Sequence, residues 1–255
     1  FKQKTAYEIR LSLVGSEMCI RDSLDSAAIA LLLAALVAGY QTRTRSLISA
    51  GLLAASTLVK LLAVALLPVL LVHIRRRYGV RTALLALGIF VATVAFAFLP
   101  YLTDLGSLST GLARYGQHWR FNASVFALAR LLLEDSNARA LMGGIFALLI
   151  AMVVYLRLEP DRAAFVLTGA FFLLSPTAHP WYLCWVLPFT ALFWSPAWLL
   201  LSGTVALSYS VFSGADGWEE LSWVPWLEYL PFVVVLAWHM RVSSSLKRPW
   251  GQACG

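Results

Sequence analysis

Long apolar runs separated by short polar stretches dominate the chain. A helix needs about 20 apolar residues to cross the hydrocarbon core of a bilayer. Runs near that length recur along the sequence, and they predict membrane-spanning helices. The candidate spans are 24–41, 80–101, 140–157, 162–176, 181–195, 197–213 and 225–240. This pattern predicts an all-α, polytopic membrane helical bundle.

The apolar stretch 46–74 carries basic residues at both ends. Arg43 and Arg45 precede it, and Arg75–Arg77 follow it. Because Lys and Arg collect in cytoplasmic loops, a single span would place one basic cluster on the wrong side. A hairpin that turns near Thr57–Lys60 keeps both clusters cytoplasmic, and one long tilted helix is the alternative. With the hairpin, we expect about eight or nine membrane helices.

The composition agrees with a membrane protein. The 255 residues are 60% hydrophobic and 13% charged, with a mean hydropathy of +0.75. Soluble domains carry about 25% charged residues, so this chain could not cover its surface in water. A soluble enzyme, a nucleic-acid-binding domain and a disordered protein are therefore excluded.

The net charge of +7 is interpreted as topology rather than as affinity for nucleic acid. With the hairpin, most basic residues after Leu24 lie on the cytoplasmic side, and the C-terminal tail 242–255 is cytoplasmic. The outer loops then receive most of the acidic residues. These include Asp25, Asp104, Glu134, Asp135 and Glu228.

Residues 1–23 differ from the rest of the chain. They read FKQKTAYEIRLSLVGSEMCIRDS and lack the apolar core of a signal peptide. The stretch resembles a translated sequencing-adapter string found at the ends of metagenomic reading frames. We expect 1–23 to be foreign to the fold and 24–241 to form an N-terminally truncated membrane domain. A genuine polar N-terminus is the alternative.

One candidate for chemistry lies in the outer loop 103–139. A short interfacial helix is predicted over 122–133, which Ser124 could cap. An arginine at its start could clamp a phosphate with two hydrogen bonds, and an aromatic belt that contacts lipid is the structural alternative. The polar and aromatic candidates here are His118, Trp119, Arg120 and Asn122.

The second candidate lies between two apolar spans. Pro176 and Pro180 enforce a non-helical turn at the membrane surface. This turn presents His179, Trp181 and Tyr182 to the outer face. An ordinary loop with belt aromatics is the alternative.

Several other residues receive individual interpretations. Lys60 is the only charge in 46–74, so it needs a partner or a wet cavity, and it could bind a phosphate or snorkel. Cys184 is interpreted as a core residue. Asp135 is interpreted as a solvated loop charge, and a carboxylate base is the alternative. His73 and His239 lie at the cytoplasmic ends of spans and are interpreted as interfacial. No metal motif is evident, and no metal or cofactor is expected.

Three segments resemble one family. Ser175–Pro188 reads SPTAHPWYLCWVLP, similar to the SPxxHPWYxxWxxP segment of bacterial polyprenol-phosphate-mannose-dependent mannosyltransferases of the GT-C superfamily. Trp119–Phe126 resembles their WxFNxSxF stretch. Ala55–Lys60 through Pro68 is similar to their LATLxK…LLP hairpin. The resemblance covers about residues 25–240, in the same motif order.

The resemblance implies a GT-C-like fold in the bacterial inner membrane. It implies transfer of a sugar, mannose in that family, from a polyprenyl-phosphate donor to a glycan or glycolipid acceptor at the periplasmic face. Lys60, Arg120 and His179 would stabilise the leaving phosphate. The remaining substrate-binding candidates are His118, Trp119, Asn122, Trp181 and Tyr182.

The resemblance also leaves one part of the reaction unassigned. The catalytic acidic residue is expected upstream of Leu24, so the chain by itself is expected to be inactive. A multi-pass transporter or lipid flippase is the alternative function, and it would place polar residues inside several spans. A non-catalytic scaffold of an envelope complex is a third reading.

Overall fold

The computed structural model describes residues 24–104, 119–213 and 221–246, and this part of the chain is largely helical. It contains one isolated β-bridge between Phe121 and Thr177. The chain divides into two compact units. The first comprises described residues 24–104 and 148–167. The second comprises 119–147, 168–213 and 221–246.

The first unit begins with four helices. They are α1 (Leu24–Gly39), α2 (Arg43–Val59), α3 (Leu67–Tyr78) and α4 (Val80–Phe98). Short 3-10 helices follow α2 at Leu61–Leu66 and α4 at Leu99–Asp104. Both α2 and α3 pack against α4.

The stretch 46–74 does not form a single helix. The backbone of Lys60 is extended, with φ −142° and ψ 117°, and it ends α2. The Tyr78 hydroxyl at the end of α3 donates to the carbonyl oxygen of Gln41, at 3.2 Å, just before α2 begins. The chain therefore reverses direction, as the predicted hairpin requires, and its helices extend beyond 46–74 to Arg43 and Tyr78. Both basic clusters lie at the same end of the hairpin.

Six further helices follow within the described residues. They are α5 (Val125–Ala129), α6 (Asp135–Tyr155), α7 (Pro160–Leu174), α8 (Leu187–Thr190), α9 (Pro196–Thr204) and α10 (Val224–Leu246). Two 3-10 helices, Pro180–Trp185 and Val205–Ser213, lie between them. Within the second unit, α9 packs against α10.

The described segments have the apolar character of a membrane protein. Val80–Leu102 and Asp135–Tyr155 are long and apolar enough to cross a bilayer, whereas Leu24–Gly39 and Pro196–Val211 are apolar but shorter. Large apolar side chains such as Leu148 on α6 are exposed on the surface. Water disfavours such a surface and lipid does not. The count of eight or nine membrane helices stays a prediction.

The predicted span 181–195 is wrong, because this segment is not a continuous helix. It consists of the 3-10 helix Pro180–Trp185 and the four-residue α8. Pro188 has no N–H to donate within a helix, and Pro196 begins the next one. The prolines therefore divide an apolar run that hydropathy alone reads as one span.

Two smaller predictions also need correction. Of the helix expected over 122–133, only α5 is helical. The Ser124 hydroxyl does not cap α5, because it donates to the carbonyl oxygen of Leu173 at 2.8 Å. Cys184, which we expected in the core, is exposed. It lies in the short 3-10 helix, where successive residues point to different sides.

The hairpin makes a testable prediction about topology. We expect Thr44→Cys and Tyr78→Cys, each in a chain whose native cysteines are replaced by serine, to react with a membrane-impermeant maleimide from the same side. The physical reason is that the start of α2 and the end of α3 lie together. Labelling from opposite sides would contradict the hairpin.

Candidate functional site

The two aromatic clusters, separate in the sequence, meet in the structure. The Phe121 N–H donates to the Pro176 carbonyl oxygen at 3.1 Å, and the Ala178 N–H donates to the Phe121 carbonyl oxygen at 2.8 Å. The Thr177 hydroxyl donates to the Trp119 carbonyl oxygen at 3.2 Å. Segments 119–122 and 175–179 are therefore paired by hydrogen bonds, an arrangement that no local pattern predicted, although the resemblance assigned Arg120 and His179 to one phosphate.

His179 lies at the centre of this site and is buried, with 3% of its surface exposed. Its ring is stacked between Trp181, at 4.3 Å between centroids and 8° between planes, and Phe121, at 4.8 Å. The Tyr182 ring meets its edge at 5.4 Å. Three aromatic side chains therefore fix the orientation of the imidazole.

Glu228 is a buried carboxylate that sequence reasoning missed. It is 0% exposed on α10, and its Oε2 accepts a hydrogen bond of 2.6 Å from Asn122 Nδ2. The Tyr229 hydroxyl donates to the Asn122 carbonyl oxygen at 2.8 Å. Asn122 itself has φ 47°, a left-handed conformation that asparagine tolerates. These hydrogen bonds hold Asn122 in place next to Phe121.

The assignment of Glu228 to an outer loop is therefore wrong. α10 begins at Val224, so Glu228 lies one turn inside a helix. The available signal was an isolated acidic residue in the apolar run Val224–Val235. A buried carboxylate needs a hydrogen-bonding partner, and Asn122 provides it.

Asp135 is surrounded by three arginines. Its carboxylate lies 3.4 Å from Arg120 Nη1, 3.4 Å from Arg130 Nη1 and 2.6 Å from Arg139 Nε. Asp135 is therefore an ion-paired residue at the start of α6, with 30% of its side chain exposed, rather than an isolated loop charge. Because three guanidinium groups share one carboxylate, positive charge exceeds negative charge in this cluster. The Arg120 side chain is 53% exposed and accessible to a ligand.

Arg139 also connects the arginine cluster to the aromatic site. Its Nη2 donates to the Trp119 carbonyl oxygen at 3.2 Å, and its guanidinium lies 5.3 Å from the centre of the Phe126 ring. The arginine cluster and the His179 site therefore share the segment that begins at Trp119.

Lys60 has the partner that its position in an apolar stretch requires. Its Nζ lies 3.1 Å from Oδ1 of Asp25, whose side chain is buried. Asp25 lies inside α1, so its assignment to an outer loop is also wrong. Lys60 belongs to the first unit and the His179 site to the second. The phosphate-binding role of Lys60 stays a prediction.

The remaining sequence candidates have mixed outcomes. Trp181 and Tyr182 join the site through their contacts with His179, whereas His118 lies outside the described residues. Within the described ranges, no group of three or more His, Cys, Asp or Glu side chains could hold a metal ion.

The sequence-family model of glycosyltransferase family 87 matches residues 9–176, about two thirds of the chain. The chain belongs to glycosyltransferase family 87. The match begins inside the segment 1–23 and includes Trp119–Phe126, but it ends before His179. No curated protein and no solved structure matches the chain.

Membership of family 87 indicates a membrane glycosyltransferase. The partners of a glycosyltransferase are a sugar donor and an acceptor that receives the sugar. The transporter or flippase reading is not favoured.

The Asn122–Glu228 bond predicts a graded loss of stability. Glu228→Ala leaves the Asn122 amide buried without its acceptor, so we expect a loss of about 1–3 kcal/mol in the free energy of unfolding. Glu228→Gln retains an acceptor and should lose less. Glu134→Ala removes an exposed acidic residue and serves as the control. Equal unfolding midpoints for all three variants would contradict the prediction.

The Lys60–Asp25 pair makes a second stability prediction. Lys60→Met leaves the buried carboxylate of Asp25 without this cation, and we expect a loss of about 1–3 kcal/mol. Adding Asp25→Asn should recover part of that loss, because the unpaired charge is removed. A thermal unfolding series would measure both. Additive losses in the double variant would exclude coupling between the two residues.

Proposed function

We propose that this family-87 chain uses a polyprenyl-phosphate sugar, mannose by resemblance, as donor for a glycan or glycolipid acceptor. The reaction takes place at the periplasmic face of the bacterial inner membrane, with the C-terminus cytoplasmic. The observation that carries the proposal is the bridge between segments 119–122 and 175–179. This bridge connects the stacked His179 to a chain segment that bears an accessible arginine.

The chemistry of the transfer explains why such a site is suitable. The acceptor hydroxyl attacks the anomeric carbon, the carbon–oxygen bond to the phosphate breaks, and the polyprenyl phosphate leaves with the electron pair. Negative charge therefore grows on the phosphate oxygens. Cationic and hydrogen-bonding groups placed there before the reaction stabilise this charge.

Arg120 and His179 are assigned to the phosphate. A guanidinium can hold two phosphate oxygens with parallel hydrogen bonds, and the Arg120 side chain is accessible although it contacts Asp135. His179 supplies a ring nitrogen whose direction is fixed by Phe121 and Trp181. The excess of positive charge around Asp135 favours an anionic donor.

The aromatic side chains are assigned to the sugar and the lipid. The Trp119 side chain is exposed, and Trp181 and Tyr182 are half-buried. Aromatic rings bind the apolar face of a sugar and are enriched at the level of lipid headgroups. No described residue is assigned as the base that accepts the proton of the acceptor hydroxyl.

Donor binding tests this proposal without depending on the base. We expect the purified chain to bind polyprenyl-phosphate mannose, and His179→Ala and Arg120→Gln each to weaken that binding. Loss of one charge-assisted hydrogen bond, about 1.5–3 kcal/mol, corresponds to about tenfold to a hundredfold in affinity. His239→Ala and Arg43→Gln are the matched controls.

Two results would contradict the proposal. One is donor affinity that is unchanged in both His179→Ala and Arg120→Gln. The other is a preference for a nucleotide-linked sugar over the polyprenyl-phosphate sugar in direct competition.

A further inference from the structure

A second polar cleft lies in the first unit and takes no part in the site described above. It lies between α3 and the C-terminal end of α6 and is open to the surroundings. Its polar lining consists of His73, Arg76 and Arg157, and its apolar lining includes Val69, Val153 and Leu158. Two guanidinium groups and an imidazole therefore border one small space.

Arg157 occupies a backbone position that usually belongs to glycine. The Leu158 N–H donates to the Val153 carbonyl oxygen, and the Arg157 N–H to that of Val154, both at 3.1 Å. These two bonds form a Schellman motif, whose left-handed residue is most often glycine. Arg157 adopts φ 54° there. The helix end therefore holds an arginine in a strained conformation with its side chain at the cleft.

The acidic residues near the cleft are already engaged. The carboxylate of Glu159 lies 3.1 Å from His73 Nδ1, and that of Asp161 accepts a hydrogen bond of 2.9 Å from the Tyr40 hydroxyl. Within the described residues, neither Arg76 nor Arg157 forms an ion pair. The cleft is therefore suited to an anion from outside this part of the chain.

His73 gives a second, independent indication. Its Nε2 is buried and has no hydrogen-bond partner among the described residues. A buried polar atom without a partner is unfavourable, and a bound group would satisfy it. With Nδ1 facing Glu159, Nε2 is the ring nitrogen that a group bound in the cleft could contact. A phosphate group there would give it a hydrogen-bonding partner.

We propose that this cleft binds the phosphate group of a membrane phospholipid. The lipid source is argued from the end of α6, where Tyr155 is 84% exposed and Leu156 is also exposed, directly before Arg157. Exposed aromatic residues at the end of an apolar helix lie at the level of lipid headgroups. A headgroup phosphate beside α6 would therefore reach Arg76 and Arg157 while its acyl chains follow the helix.

The test uses the purified full chain in an uncharged detergent. Binding of short-chain phosphatidylglycerol is measured for the native chain and for Arg76→Gln, Arg157→Gly and Arg75→Gln. We expect Arg76→Gln and Arg157→Gly each to weaken binding by at least about tenfold, because each removes a charge-assisted contact to phosphate. Arg75→Gln, an exposed neighbour outside the cleft, should leave it unchanged.

Arg157→Gly separates binding from folding. Glycine relieves the left-handed strain, so we expect the unfolding midpoint without lipid to be at least as high as that of the native chain. Unchanged phosphatidylglycerol affinity in both cleft variants would overturn the proposal. Equal affinity for diacylglycerol, which lacks the phosphate, would also overturn it. Inorganic phosphate that binds as tightly as the lipid would exclude the lipid source.

Discussion

Backbone outside helices is expensive in an apolar protein, because each N–H and C=O group must find a partner within the protein. Segments 119–122 and 175–179 are partners in this sense. Their backbone groups form hydrogen bonds with each other at Phe121, Pro176 and Ala178. Everything at the His179 site depends on this mutual pairing. It brings the Phe121 ring onto the imidazole and places Asn122 where Glu228 can hold it.

Much of this architecture could be predicted from local sequence. Apolar runs predicted the helices, the basic clusters predicted the reversal at Lys60, and the motifs identified the aromatic side chains. The bridge could not be predicted from residues alone, because Phe121 and Thr177 are far apart in the chain and no local period connects them. The prolines of 180–196 did signal a break locally, but the prediction gave hydropathy more weight than the missing N–H groups.

The acidic residues show a different limit of sequence reasoning. Asp25, Asp135 and Glu228 were all assigned to outer loops from the predicted membrane topology. Each is instead held by a specific partner, namely Lys60, the arginines around Asp135 and Asn122 respectively. A charged residue in an apolar run predicts that a partner exists. It does not identify that partner, because the fold alone brings the two together.

The central claim is that segments 119–122 and 175–179 form one hydrogen-bonded unit that Glu228 holds in place. Amide hydrogen exchange of the purified chain tests it most directly. The account predicts slow exchange at the Phe121 and Ala178 amides and faster exchange at both in Glu228→Ala. Fast exchange of these amides in the native chain, or rates that Glu228→Ala leaves unchanged, would contradict it.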